Sequence, residues 1–232
     1  MAGNKPGEVV LKNVVLSYAH VVDPDRGPEG TDDPKWRTRL MIDPEAPQTA
    51  DMMDAIEQAI VDVAKEKWGK QWEKKLPPED RLCFRQMDED DEYFPGWWFV
   101  QASTRTPPLL VLPTKGPDGR WQTLDPQNRP ADKDKALELF YSGARVNAVV
   151  QFWAQDNKFG RRINAFLNAV QFRAHGERLG GVATPDVDSV FSDDDVEAVE
   201  FDETDYEDPE DGGDEEEAAG ASAGRSRLFG RR

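Results

Sequence analysis

Residues 145–168, RVNAVVQFWAQDNKFGRRINAFLN, repeat with a period of two on both sides of a polar turn that ends in glycine. That period excludes a helix and predicts an antiparallel hairpin with two distinct faces. One face carries Val146, Ala148, Val150, Phe152 and Ala154 with Ile163, Ala165 and Leu167, as a core requires. The other carries Arg145, Asn147, Val149, Gln151, Trp153 and Gln155 with Arg162, Asn164, Phe166 and Asn168. If Asp156 pairs near Arg161, Trp153 lies opposite Asn164 and Gln151 opposite Phe166, so the two rings are diagonal neighbours on the wet face. A register slip would change the partners but not the faces, which alternation fixes within each strand. An isolated hairpin is marginal in water, so this one must complete a larger sheet.

The rest of the chain up to residue 182 supplies that sheet. Residues 8–22, EVVLKNVVLSYAHVV, are dense in Val and bounded by DPDRGPEG, which reads as a long strand and a loop. In KWRTRLMID, Trp36, Thr38, Leu40 and Ile42 alternate with Lys35, Arg37 and Arg39, giving a half-buried strand with a basic outer face. Met52, Ile56, Ile60, Val63 and Lys67 or Trp68 recur at helical spacing, so one helix is expected over 49–68, with Thr49 as its N-cap. Strands are expected at GWWFVQAST and PLLVLP and in RLCFR, followed by a Pro- and Gly-rich connection and a short helix at DKDKALELF. Several strands, one intervening helix and a closing hairpin fit a mainly β, five-stranded barrel of OB type better than a βαβ array.

Charge divides the chain in two. Up to Val182 there are 25 Lys and Arg against 28 Asp and Glu, and beyond it 4 against 18, so most of the net charge of −17 belongs to residues 183–232. That segment has no hydrophobic periodicity and too little apolar surface to offset its ordering entropy, so it reads as a disordered acidic tail. Phe191, Phe201 and Tyr206 are spaced along it as aromatic anchors for a docking partner. Solvated acidic filler is the plainer alternative.

Composition excludes several functions. With one cysteine, Cys83, no intramolecular disulfide forms, and two distant histidines, His20 and His175, provide no zinc cluster. No apolar run approaches 18 residues and no secretory signal opens the chain, so neither a membrane span nor export is expected. The acidic run 88–92, DEDDE, sits beside Pro95 and Gly96 and reads as a solvated loop rather than a nuclease centre, whose carboxylates converge from separate elements. No phosphate loop and no nucleophile with a His partner is recognisable. A non-enzymatic protein without cofactor or metal is expected.

An exposed Trp and Phe among Asn, Gln and Arg suit unpaired nucleobases, which offer a π-face to stack on, while cations neutralise phosphates without reading sequence. Lys158, Arg161 and Arg162 in and beside the turn, and Lys35, Arg37 and Arg39 on the second strand, supply those cations. The alternative is that another element or a second subunit covers this face. A binding module is therefore set against a scaffold whose barrel is structural and whose tail recruits partners. Trp97, Trp98 and Trp121 stay unassigned, because GWWFV puts one ring on each face.

The run FYSGARVNAVVQFWAQDNKFGRRINAFLNAVQFRAHGERLGG, with LCFRQMDEDDEYFPGWWFVQASTRTPPLLVL upstream, resembles the phage-encoded single-stranded-DNA-binding proteins, which join an OB barrel to an acidic tail. The resemblance covers roughly residues 8–181. It implies that Tyr141 and Gly143 set the entry to the hairpin, and that Trp153 and Phe166 lie on the DNA-facing sheet. It further implies action in the cytoplasm of a bacterial host, with replication or recombination proteins as partners, and leaves self-association open through unused apolar positions of the first strand. RNA is an additional expected ligand, since no feature rejects a 2′-hydroxyl. The basic ending RSRLFGRR departs from tails that end in acids and an aromatic.

Overall fold

The computed structural model describes residues 5–27 and 33–180. The boundary at residue 182, the tail 183–232 with Phe191, Phe201 and Tyr206, and its basic end lie outside the described residues. In chain order the elements are β1 (Glu8–Asp25), β2 (Lys35–Ile42), α1 (Thr49–Trp68), α2 (Trp72–Lys75), β3 (Phe84–Gln86), β4 (Trp98–Thr104), β5 (Leu109–Lys115), β6 (Trp121–Leu124), α3 (Pro130–Leu139), β7 (Arg145–Asn157) and β8 (Gly160–Ala174).

Five strands close a barrel in the order β1–β2–β4–β8–β7 and back to β1. β1 serves both sides of the closure: Glu8–Val15 pairs with β7 and Val15–Asp25 with β2. Register shifts between Leu11 and Val14 and between Ser17 and His20 bend it around the corner, as bulges do in barrels. The closing contact is the parallel pairing of Ala102 on β4 with Ala165 on β8. Just beside it, Cys83 is wedged between these strands: its N–H donates to the Ile163 carbonyl (3.0 Å), and its carbonyl accepts from Gln101 N–H (2.7 Å). β3 extends the sheet beyond β4, while β5 and β6 extend it beyond β8. β6 occupies the connection that the sequence suggested was irregular.

The barrel interior is built from the alternating residues expected of it. Val146, Ala148, Val150, Phe152, Ile163, Ala165, Leu167, Trp36, Thr38, Leu40 and Ile42 are all buried. α1 spans the residues expected and buries Met52, Ile56, Ala59, Val63, Ala64 and Trp68 against β1 and β7. Thr49, however, is not its N-cap: Gln48 holds that position, and Thr49 Oγ1 instead donates to the Asp43 carbonyl (2.5 Å), tying the helix start to the preceding loop.

The two ends of the β7–β8 hairpin lock together where the motif residues stand. Gly143 has φ 110°, a conformation open to glycine, and a Cβ there would overlap the Glu177 carbonyl oxygen. Tyr141 Oη donates to the Gly176 carbonyl (2.9 Å) and Leu179 N–H to the Ser142 carbonyl (2.9 Å). The YSG entry and the HGERL exit are thus one packed unit.

Candidate nucleic-acid interface

β7 and β8 pair with Trp153 opposite Asn164, Gln151 opposite Phe166, and Asp156 opposite Arg161. Trp153 and Phe166 project from the outer face and stack on each other, with centroids 5.4 Å apart and planes 14° apart. Phe166 is 43% exposed and Trp153 half-buried. Because the rings touch, no base fits between them; the free surface of the stacked pair is what remains available. Gln151 Nε2 donates to the Pro6 carbonyl (3.2 Å), and Asn164 Nδ2 to Gln155 Oε1 (3.4 Å).

Strand registry extends this patch across the barrel. On β2 and β4, Arg39 faces Gln101 and Arg37 faces Ser103. The Ala102–Ala165 closure then brings those β4 residues beside Asn164 and Phe166 of β8. Two outward rows result, Arg39–Gln101–Asn164–Trp153 and Arg37–Ser103–Phe166–Gln151. With adjacent strands about 4.8 Å apart, each row runs roughly 14 Å. Arg37, Arg39, Gln101 and Ser103 lie on the second and third barrel strands, the face with which OB folds bind oligonucleotides, and the stacked rings on β7 and β8 continue it.

The cations differ in how free they are. Arg37 pairs with Asp25, and Lys35 with Asp33 at 3.3 Å; Asp33 also receives Arg105 at 3.0 Å. Asp25 is held below the usual carboxylate range, first by the Gly27 backbone N–H and then by Arg37, and Asp33 is held low by Arg105 and Lys35. Arg161 pairs with Asp156 at 3.5 Å, and Asp156 also accepts from Trp68 Nε1 (3.1 Å). Arg39 lies between the rings of Tyr18 and Phe99, at 4.9 and 5.0 Å from their centroids. Lys158 covers the Phe159 ring at 5.0 Å. Arg162 is exposed. Arg145 is set apart: it pairs with Val15 and Ala174 at the start of β7, eight residues and roughly 26 Å along the strand from Trp153.

Sequence reasoning missed several neighbours. A depression of about 180 Å³ at the β4–β8 junction is lined by Arg81, Arg85, Gln101, Ser103, Arg162 and Asn164 among others. Arg85 Nε there is buried without a hydrogen-bond partner, and its guanidinium lies 5.2 Å from the Phe99 ring centroid. Phe159, at the hairpin tip, is 69% exposed, and Tyr18 on β1 is 63% exposed. Phe159 was legible in DNKFG as a ring in a turn; the wedge that carries Arg81 and Arg85 to the groove was not. The tryptophans left open are settled. Trp98 packs against the main core and stacks on Phe84 at 5.0 Å, whereas Trp97 joins Phe94 in a second cluster over Val15, Met41 and Phe99. Trp121 is exposed on the outermost strand, β6. The acids of 88–92 are exposed or half-exposed, and among the described residues no cluster of three or more His, Cys, Asp or Glu could hold a metal. No helix is long and apolar enough to cross a membrane among the described residues.

Comparison with known proteins adds three findings. The family model described as Enterobacter phage Enc34, ssDNA-binding protein, matches residues 7–201. Putative protein p50 of Acyrthosiphon pisum secondary endosymbiont phage 1 is 29% identical over 186 residues, covering 76% of this chain and 90% of that protein. The single-stranded DNA-binding protein from bacteriophage Enc34, solved in complex with ssDNA, superposes with a TM-score of 0.57 at 26% identity, covering 76% of this chain and 91% of that one.

Proposed function

We infer that this chain, which belongs to the Enterobacter phage Enc34 ssDNA-binding protein family, binds single-stranded DNA across the outer rows of its barrel. The observation that carries the reading is the registry aligning Arg39 and Gln101 with Asn164 and the stacked Trp153–Phe166 pair on one outward surface. Stacking rings and cations take any base, so binding is sequence-nonspecific. Arg39, Arg81, Arg85 and Arg162, which make no ion pair among the described residues, lead in phosphate neutralisation, with Lys158, Arg161, Arg37 and Lys35 behind them, the last three sharing their charge with a carboxylate. None of these contacts depends on the sugar, so RNA competes for the same surface. The test is equilibrium binding of equal-length single-stranded and duplex oligonucleotides at several salt concentrations. Preference for the single strand and loss of affinity with salt are expected; equal affinity for both overturns the reading.

The acidic segment extends the proposal. Residues 183–232 are tethered by the chain to the domain that carries the proposed groove. Residues 186–217 hold 18 acids and no Lys or Arg, a charge density like that of a nucleic acid backbone. A flexible tether gives an effective concentration of order mM, enough to compete with DNA until DNA displaces the tail and frees Phe191, Phe201 and Tyr206 for replication or recombination proteins. Both roles are set in the cytoplasm of the host.

Self-association has its own supporting feature. Val10, Val149, Ala169 and Leu109 lie in register across β1, β7, β8 and β5 as an outward apolar row, with Val10 and Leu109 exposed. A second copy of this chain is the proposed cover. Sedimentation of Leu109→Lys against the unaltered chain tests it: a shift to smaller species supports the contact, and identical sedimentation refutes it. The scaffold reading, in which the barrel binds no nucleic acid, requires that neither protein retain an oligonucleotide.

A further inference from the structure

A second surface lies where β1 leaves its regular path, and it draws on no residue that the hairpin supplies. Tyr18 has φ 50°, a left-handed conformation that glycine or asparagine adopts readily and a bulky residue does not. It sits in the register shift between Ser17 and His20, and a bulge of this kind re-aims a side chain. The ring is turned outward and 63% exposed, so burial does not explain the conformation. Such strain clusters at ligand-binding positions.

The ring forms one wall of a cavity of about 360 Å³, which also presents Tyr93, Phe94, Met41, Met87 and Arg39. Tyr93 is 54% exposed. The loop carrying it is held by Asp91, whose Oδ1 accepts from the N–H groups of Tyr93 (3.1 Å) and Phe94 (2.8 Å). Tyr18 and Arg39 also line an adjoining depression of about 260 Å³ that reaches Gln101, so the cavity continues the row of the proposed groove. Among the described residues the Arg39 guanidinium makes no ion pair, and the rings of Tyr18 and Phe99 support it.

We propose that this cavity is a nucleobase subsite: one base of a bound single strand leaves the groove, stacks on Tyr18 and is flanked by Tyr93, while Arg39 holds the adjoining phosphate. The proposal rests on the single-strand reading above. Aromatic and thioether walls suit a base, and the Asp91 carboxylate in the lining disfavours a phosphate inside.

The test uses the full chain and an oligonucleotide carrying 5-iododeoxyuridine, cross-linked by light and mapped by peptide mass spectrometry. Adducts on Tyr18 or Tyr93 are expected. Adducts confined to peptides from 145–174 overturn the subsite while leaving single-strand binding intact, whereas an oligonucleotide that does not bind overturns both. Tyr18→Asn, which suits the backbone at that position, is expected to fold and to weaken oligo-dT binding at least about fivefold. Its salt dependence stays unchanged, because no charge is lost. Tyr18→Phe keeps the ring and the affinity. Full affinity in Tyr18→Asn refutes the subsite.

Discussion

Adjacent residues Phe152 and Trp153 should separate folding from binding. Phe152 is 1% exposed within the main core, so Phe152→Ala is expected to cost about 3–5 kcal/mol. For a domain of this size each kcal/mol lowers the melting temperature by about 2–4 °C, giving a fall of roughly 6–20 °C. Trp153 lies on the other face and its ring stacks on Phe166. Losing that stack costs about 0.5–1.5 kcal/mol beyond the apolar area that the half-buried ring covers, so a fall in melting temperature smaller than that of Phe152→Ala is expected. For binding the order reverses, since each base-stacking ring contributes about 1–3 kcal/mol, or roughly 5- to 150-fold in affinity. Trp153→Ala and Phe166→Ala should each lie in that range. Since the rings support one another, the double variant should lose less than the sum of the two. Thermal unfolding by circular dichroism and fluorescence anisotropy with a labelled oligo-dT at fixed salt measure the two axes. A Trp153→Ala protein that melts as early as Phe152→Ala, or binds as well as the unaltered chain, refutes the assignment of this face.

Truncation after Val182 should tighten single-strand binding, most at low salt, where the tail's competition is least screened; unchanged affinity at low salt removes the competition model. Removing only residues 225–232 should tighten autoinhibition if the basic end folds back on the acids, and weaken binding if it touches DNA. Arg39→Ala should reduce the slope of log affinity against log salt by about one, whereas Lys35→Ala and Arg37→Ala, whose charges are shared with Asp33 and Asp25, should change it less. Gly143→Ala should lower the melting temperature markedly, because its Cβ meets the Glu177 backbone at a positive φ. Burial raises the Cys83 thiol to about 12, so it should resist alkylation in the folded state, and stability should fall as pH rises from about 9 toward 12, where only the unfolded chain releases the thiol proton.

Alternation alone determined which side of the hairpin and of β2 meets the core, and helical spacing alone determined α1. Both are local properties of the chain, set by backbone geometry over a few residues. Charge counts likewise isolated the acidic segment 183–232. Neighbourhood across the barrel was beyond such reasoning. Ala102 meets Ala165 only because the barrel closes there, and that contact, between residues far apart in sequence, turns separate outer faces into continuous rows. The same closure wedges Cys83 between β4 and β8 and brings Arg81 and Arg85 to the groove, a neighbourhood that the alternation of RLCFR does not specify. Tertiary structure also decided how the cations are held among the described residues: Asp25, across the connection from β2, pairs with Arg37, whereas the rings of Tyr18 and Phe99 support Arg39. Side-chain direction follows from the local backbone, but an ion pair or a shared groove depends on which distant segment arrives beside it.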